Sequence, residues 1–317
     1  MLIDILIIAI SFAVLLWSAD QFIIGAAALA RSVGMSPLLI GMTIVSVGTS
    51  APEIIVSLMS ALSDVGRLAV GNALGSNIAN IGLVLGITLL ISPISVGRTT
   101  AFSDLPLLLS TIVLCAVLLS DGVLSALDAM MLLAGLVLFL LRMARHSQRP
   151  NPSDITADTA QTSTRKALLL FTMGLLLLVG SSRALVFGAV NIATAFNVSE
   201  LVIGLTIVAV GTSLPELAAS LISAIRGHAD IAIGAVIGSN MFNLLVVLSL
   251  PGLFGDLVLA PAVLFRDLGT VFITTFILAL FSWMNWDKQT QTARLGRVLG
   301  GLFLSSYVLY YALLMTV

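Results

Sequence analysis

Cysteine occurs once in this sequence, at position 115, inside the apolar run "TIVLCAVLL". One thiol makes no internal disulfide and no metal cluster, and a buried, inert side chain fits its surroundings. Histidine occurs twice, at 146 and 228, in polar connections that share no metal-ligand spacing. Charge is scarce: Asp, Glu, Lys and Arg make up 9% of 317 residues and sum to −1, so there is no basic balance to hold a nucleic acid. Aromatic residues reach only 6%. What fills the chain instead is 59% hydrophobic residue, with a mean hydropathy of +1.17. No soluble core needs that much apolar surface. The 26 glycines belong to the same picture, because small residues let transmembrane helices approach closely.

About 20 apolar residues cross a hydrocarbon core. The hydropathy predicts ten spans, at 2–30, 37–62, 68–92, 102–120, 123–143, 166–193, 200–225, 230–250, 260–284 and 296–316. The first lacks a basic leader and a small-residue cleavage site and stays apolar too long for a signal peptide, so it reads as a span. Several stretches exceed the hydrocarbon thickness and imply tilt. The one long polar segment, "ARHSQRPNPSDITADTAQTSTRK", is rich in Ser, Thr, Pro and charge. It is a linker, too short to fold alone. The chain therefore divides into 1–143, a linker at 144–165, and 166–317. Of 14 basic residues, eleven fall in one set of loops, Arg67 and Arg266 in the opposite set, and Arg183 within a span. By the positive-inside rule the linker is cytoplasmic and both termini face outward.

An unusual stretch interrupts this apolar background. "VGTSAPEIIVS" covers 47–57, and "VGTSLPELAAS" covers 210–220. The offset of 163 also relates Gly41 to Gly204, Ser76 to Ser239, Asn77 to Asn240 and Asn80 to Asn243, without a gap. Between 36–57 and 199–220 there are 14 identities in 22 positions. Each half holds five predicted spans, and an odd number forces the second half to enter from the opposite side. The expected fold is thus all-α and integral to the membrane: ten helices as two inverted five-helix repeats, a transporter architecture with its site near the midplane.

The repeated residues say what such a site would hold. Pro52 lacks an N–H, so the carbonyl of Gly48 loses its helical partner, and Pro215 does the same to Gly211. Carbonyls freed in a membrane must be satisfied or line a cavity. Thr49, Ser50 and Glu53 have the spacing of one helix face, as do Thr212, Ser213 and Glu216. In the following spans Ser76 and Asn80 lie one turn apart, as do Ser239 and Asn243. The pooled groups are all oxygen: two carboxylates, hydroxyls, amides and loose carbonyls. Hard cations such as Ca²⁺ and Na⁺ take such ligands, whereas zinc or copper favours nitrogen or sulfur. A charge at the bilayer centre costs about 2.5–3.5 kcal/mol on insertion scales, so two unpaired carboxylates need a reason. A protonated Glu bonded to a helix kink is the plainer explanation for one, and duplication with the same neighbours weakens it for both. Any one Ser or Thr can instead bond back to its own helix. Asn77 and Asn240 fit backbone satisfaction as well as ion contact. Asp20 and Arg183, also 163 apart, could pair between the first helices of the halves or reach separately toward water.

"GTSAPE", "GTSLPE" and the two "GSN" segments resemble the paired alpha-repeats of the calcium/cation antiporter superfamily, in its sodium/calcium exchanger branch of prokaryotic type. The resemblance covers essentially the whole chain. It implies a secondary antiporter and not an enzyme, exporting Ca²⁺ against inward movement of Na⁺ by alternating access. It implies no cofactor beyond the transported ions and no soluble partner. The setting it implies is the inner membrane of a bacterium or archaeon. The second, third, seventh and eighth spans would form the ion core, and the long first and sixth helices would slide across it. Glu53 and Glu216 match the central acids; Thr49, Ser50, Thr212, Ser213, Ser76 and Ser239 match oxygen ligands around them. Carbonyls near Ser46 and Ala209 match further ligands, and Asn80 an amide position. Some exchangers carry Asp where this chain has Asn243. Two carboxylates neutralise one Ca²⁺, but three Na⁺ would leave excess charge in a poorly solvated site, which is expensive. The coupling ion therefore turns on Asn243, and a cation/proton antiporter using the same glutamates is the alternative. A cation channel fits less well, because filters form rings about one axis.

Overall fold

The structure is a computed structural model and describes residues 1–32, 34–63, 65–146, 163–197, 207 and 209–314. Most of the expected linker, and the start of the seventh predicted span, lie outside these residues. The chain is dominated by helix. In order they are α1 (Leu2–Ser32), α2 (Pro37–Thr49), α3 (Ala51–Leu62), α4 (Gly66–Ile91), α5 (Thr100–Leu118), α6 (Ala126–His146), α7 (Thr164–Ala195), α8 (Ala209–Thr212), α9 (Leu214–Ile225), α10 (Ala229–Leu253), α11 (Val263–Met284) and α12 (Arg297–Leu314). Eight of these are long and apolar enough to cross a membrane, or nine if α2 and α3, bent by 47°, form one broken span. The seventh predicted span, 200–225, is described only at 207 and from α8 onward, and α9 alone is too short to cross. Local sequence explains the clearest helix starts. Ser36 accepts a hydrogen bond from the Leu39 N–H ahead of Pro37, and Ser163 caps α7 through the Lys166 N–H.

The 163-residue offset recurs in the backbone. The helix α3 maps onto α9 at both ends, as do the α-helical segments Gly66–Ala79 and Ala229–Phe242. Widened π-helical turns begin at Asn80 and at Asn243, then again at Thr100 and Val263. Such turns are rare and often sit at functional sites. The offset ends near the C-terminus. Helix α12 starts 171 residues after α6, eight more than 163.

The additional residues build a strand that an all-helical reading did not contain. Short strands β1 (Ile94–Gly97), β2 (Val123–Leu124), β3 (Leu257–Val258), β4 (Trp286–Asp287) and β5 (Thr292–Leu295) lie between the helices. β2 pairs with β3, antiparallel. Their equivalents β4 and β1 do not pair directly, because β5 lies between them in the order β1-β5-β4. The strands join helix ends, where backbone groups have no intrahelical partner.

The long helices α1 and α7 pack against each other as an antiparallel pair, with the rings of Phe22 and Phe171 4.9 Å apart. At 31 residues α1 is about 46 Å long, well beyond the hydrocarbon thickness, which requires tilt. Gly174 makes the close crossing possible: a Cβ there would lie 2.6 Å from the backbone nitrogen of Phe22. Helices α4 and α10 are largely enclosed by the others, whereas α1, α6, α7 and α12 keep broad apolar faces for lipid.

This crossing gives a first test. Gly174→Ala forces the two backbones apart and should destabilise the protein by about 1–3 kcal/mol. Gly180→Ala on the same helix meets nothing within 4 Å and should be neutral. Thermal unfolding midpoints of the two purified variants check the difference.

Candidate functional site

Each broken helix is built the same way. Ser50 leaves the helix at φ −85° and ψ 3°, and Ser213 at φ −90° and ψ 2°. Pro52 and Pro215 follow in the first turn of the next helix, where their missing N–H costs nothing. A consequence differs from expectation. Thr49 ends one helix and Glu53 begins another, so Thr49, Ser50 and Glu53 do not share one continuous face. The kink instead places Glu53 and Glu216 in the first turns of α3 and α9. The positive end of a helix dipole favours negative charge there.

Ser50 and Ser213 occupy the N-cap position, where serine ordinarily bonds a backbone N–H, yet neither side chain caps its helix. The Ser50 hydroxyl reaches into the other half and donates to Glu216 Oε1 at 3.3 Å. Thr49 donates to the Ser46 carbonyl of its own helix at 3.5 Å, and the two glutamates lie close enough for each to feel the other's charge. A second link crosses between the halves: Asn80 Nδ2 donates to Asn240 Oδ1 at 3.1 Å. The single hydroxyl proton of Ser46 is shared between the carbonyls of Gly41, at 2.6 Å, and Ala235, at 3.0 Å. Gly238 lies directly against Ser46 Oγ, and only a residue without a side chain fits there.

The structure therefore collects the predicted residues between α2–α3, α4, α9 and α10. Glu53 is 2% exposed and Glu216 5%. Ser46, Thr49, Ser50, Ser76, Asn80, Ser213, Ser239 and Asn243 are buried, while Thr212 is half-buried. Ala209 begins α8, but its side chain lies outside the described residues. Asn77 satisfies backbone, donating to the Ala73 carbonyl at 2.7 Å, whereas Asn240 orients Asn80.

Buried polar atoms are normally hydrogen-bonded. Seven that have no protein partner lie in the repeated segments: Glu53 Oε2, Asn77 Oδ1, Glu216 Oε2, Ser220 Oγ, Ser239 Oγ, Asn240 Nδ2 and Asn243 Oδ1. Six of them are oxygens. No ion pair involves either glutamate among the described residues, and no third Asp, Glu, His or Cys joins them. Chemically, the arrangement can accept positive charge and has little else to do.

Three features escaped the sequence reading. Asn72 bonds the Glu53 carbonyl and Ser57. It stands one turn before Ser76 on the same face, which was the available signal. Ser182 on α7 donates to the carbonyl of Gly211 at 2.9 Å, supplying the partner that Pro215 removed. Its equivalent in the first half is Ala19, which has no donor. Asp20 pairs with Arg226 at the end of α9, not with Arg183. The antiparallel crossing that sets Phe22 on Gly174 places Asp20 beside residue 176, seven residues or about 10 Å along the helix from Arg183.

Eight or more apolar spans around broken helices that enclose a buried oxygen cluster define a membrane transporter. Comparison with known proteins narrows the class. Residues 3–144 and 166–316 match the sodium/calcium exchanger protein family. CaxA of Alkalimonas amylolytica is 42% identical over 322 residues, covering 99% of each chain. The sodium/calcium exchanger MaX1 of Methanosarcina acetivorans is 29% identical, covering 90% of this chain and 93% of its own. The solved structure of the sodium-calcium exchanger NCX_Mj soaked with zero Na⁺ and Ca²⁺ is similar with a TM-score of 0.84 and 32% identity, covering 99% of both chains. The chain belongs to the sodium/calcium exchanger family. It is a cation-exchange antiporter of the membrane and not an enzyme.

The Ser182 contact supplies the test here. Ser182→Ala leaves the Gly211 carbonyl without its donor and should cost about 1–3 kcal/mol. Gly48→Ala, where the nearest atoms to a new Cβ belong to the flexible Leu175 side chain, should cost less. Unfolding midpoints of both variants check this.

Proposed function

We propose that this protein exports Ca²⁺ in exchange for Na⁺ by alternating access, binding both ions in competition at one site between its halves. The observation that carries the reading is the set of buried oxygens without protein partners around Glu53 and Glu216. Ca²⁺ takes six to eight oxygens, and two carboxylates neutralise its charge. The ligands are Glu53, Glu216, Thr49, Ser50, Thr212, Ser213, Ser76, Ser239, Asn80 and Asn243, with backbone carbonyls near Ser46 and Ala209. Relatives named as sodium/calcium exchangers support the choice of ions.

In this reading the chain has ten spans, as two inverted five-helix repeats at 1–143 and 166–317, and the site sits at the midplane. The recurrence of local structure at one offset supports that arrangement. Both termini face outward and the 144–165 linker is cytoplasmic, as the basic residues favour. The membrane is a bacterial or archaeal inner membrane; a 37% identical relative in Escherichia coli is named as an inner membrane protein. The antiparallel pair α1 and α7, packed across α9, is suited to slide over the ion core. Only ion-occupied states isomerise, which couples the two fluxes.

A second reading keeps the fold and replaces Na⁺ by protons. It is favoured by one observation: Asn243 offers an amide where some exchangers carry a third acid, and no other acid takes that place among the described residues.

Proteoliposomes loaded with Na⁺, Li⁺, K⁺ or choline separate the readings. ⁴⁵Ca²⁺ uptake should require an outward Na⁺ gradient. Uptake that follows a pH gradient and ignores Na⁺ would transfer the same glutamates to proton coupling. Glu53→Gln and Glu216→Gln should each reduce Ca²⁺ uptake to background while leaving folded protein, and near-normal transport in either would remove the central claim. Asn243→Asp, which adds the third carboxylate, should change the Na⁺ dependence or the charge moved per Ca²⁺, read by the same uptake assay under a membrane potential.

A further inference from the structure

We infer that Asn72 is a positioning residue that holds Glu53 in register for Ca²⁺, through a clamp that the second half of the protein lacks. Asn72 lies on α4 one turn before Ser76. Its amide nitrogen donates to the backbone carbonyl of Glu53 at 3.2 Å and to Ser57 Oγ at 3.2 Å. Both hydrogens of a planar amide are thereby used, which fixes its orientation. The two acceptors lie one turn apart on α3. Helix α3 therefore cannot rotate or slide against α4 without breaking both bonds. The carboxylate of Glu53 rides on the turn that is clamped.

The equivalent positions differ. Asn72 corresponds to Ala235, and Ser57 to Ser220. Ser220 is buried, and its hydroxyl has no partner, as expected if the amide that would hold it is missing. Two nearly identical motifs are thus held unequally. Glu53 is tied through its own carbonyl to the helix that carries Ser76, Asn77 and Asn80. Glu216 is held at its carboxylate by Ser50 and has no clamp of this kind.

The consequence falls mainly on Ca²⁺. A divalent ion needs both carboxylates at once, at oxygen distances of about 2.3–2.6 Å, and its attraction to each is twice that of Na⁺. Loosening one carboxylate costs Ca²⁺ more than it costs Na⁺. The inference rests on the proposed function only in assigning Ca²⁺ to Glu53.

The test compares ⁴⁵Ca²⁺ equilibrium binding to purified protein in detergent with Na⁺-driven uptake in proteoliposomes, for the wild type, Asn72→Ala, Asn72→Asp and Ser57→Ala. Asn72→Ala should raise the half-saturating Ca²⁺ concentration about five- to tenfold, with maximal rate and half-saturating Na⁺ changed less than about twofold. Asn72→Asp has the same size but, ionised, no donor hydrogens, and should behave like Asn72→Ala. Ser57→Ala removes one acceptor and should produce a shift of about twofold. The inference is overturned by unchanged Ca²⁺ affinity in folded Asn72→Ala, by equal shifts for Ca²⁺ and Na⁺, or by loss of rate at constant affinity. Wild-type affinity in Asn72→Asp would also overturn it. A wild type that binds Ca²⁺ but does not exchange it for Na⁺ removes the proposed coupling and leaves the role of Asn72 standing. A wild type that binds no Ca²⁺ overturns both.

Discussion

Two carboxylates buried near each other, neither in an ion pair among the described residues, are the constraint to which the rest of this structure answers. An isolated charge in a low-dielectric interior is costly unless it is paired or coordinated. Each glutamate is accommodated by the same devices. A proline breaks the helix, the break places the acid in a first helical turn, and the helix dipole opposes its charge. The serine that would cap that turn is diverted. Ser50 bonds the opposite glutamate, so the cost of an uncapped helix is offset by a link between the halves. On the proposed reading, the oxygens left without partners in these segments belong to the site and are not a defect in packing.

Duplication supplies the outline, and departures from it supply the mechanics. The first half alone has Ser46, which ties α2 to the Ala235 carbonyl, and Asn72, which ties α3 to α4. The second half alone has Ser182, which ties the long helix α7 to the freed Gly211 carbonyl. Their equivalents are Ala209, Ala235 and Ala19, and an alanine methyl donates nothing. The first broken helix is therefore fastened to α4 and α10, and the second to one of the two long helices. An antiporter must give its two faces unequal tasks, and on the proposed reading a few hydroxyl and amide groups separate them.

Much of this was legible before any coordinates. Hydropathy located eight of the ten predicted spans, or nine with α2 and α3 counted as one, because lipid permits helices and demands apolar stretches of fixed length. The 163-residue offset identified Glu53 and Glu216, together with the Ser, Thr and Asn positions that gather around them. What failed was continuity of direction. Treating Thr49, Ser50 and Glu53 as one helix face ignored the bend that Pro52 imposes. For Asp20 and Arg183 the repeat left two readings open, a pair or separate reach toward water; side chains meet by crossing geometry, and α1 and α7 cross with Asp20 near residue 176. The strand β5 was not legible, since four residues at a helix end carry no periodicity of their own.

The sequence by itself determined that this is a membrane protein, that it is built from a duplicated unit, and that its buried chemistry is oxygen. Composition, period and repetition are local properties, and each is written residue by residue. Only the tertiary structure decided which oxygens face one another, which freed carbonyl finds a hydroxyl, and which glutamate is clamped. Those outcomes depend on the angle and depth at which helices cross. Backbone approach at a glycine such as Gly174 or Gly238 sets that geometry, and it has no signature within a single helix.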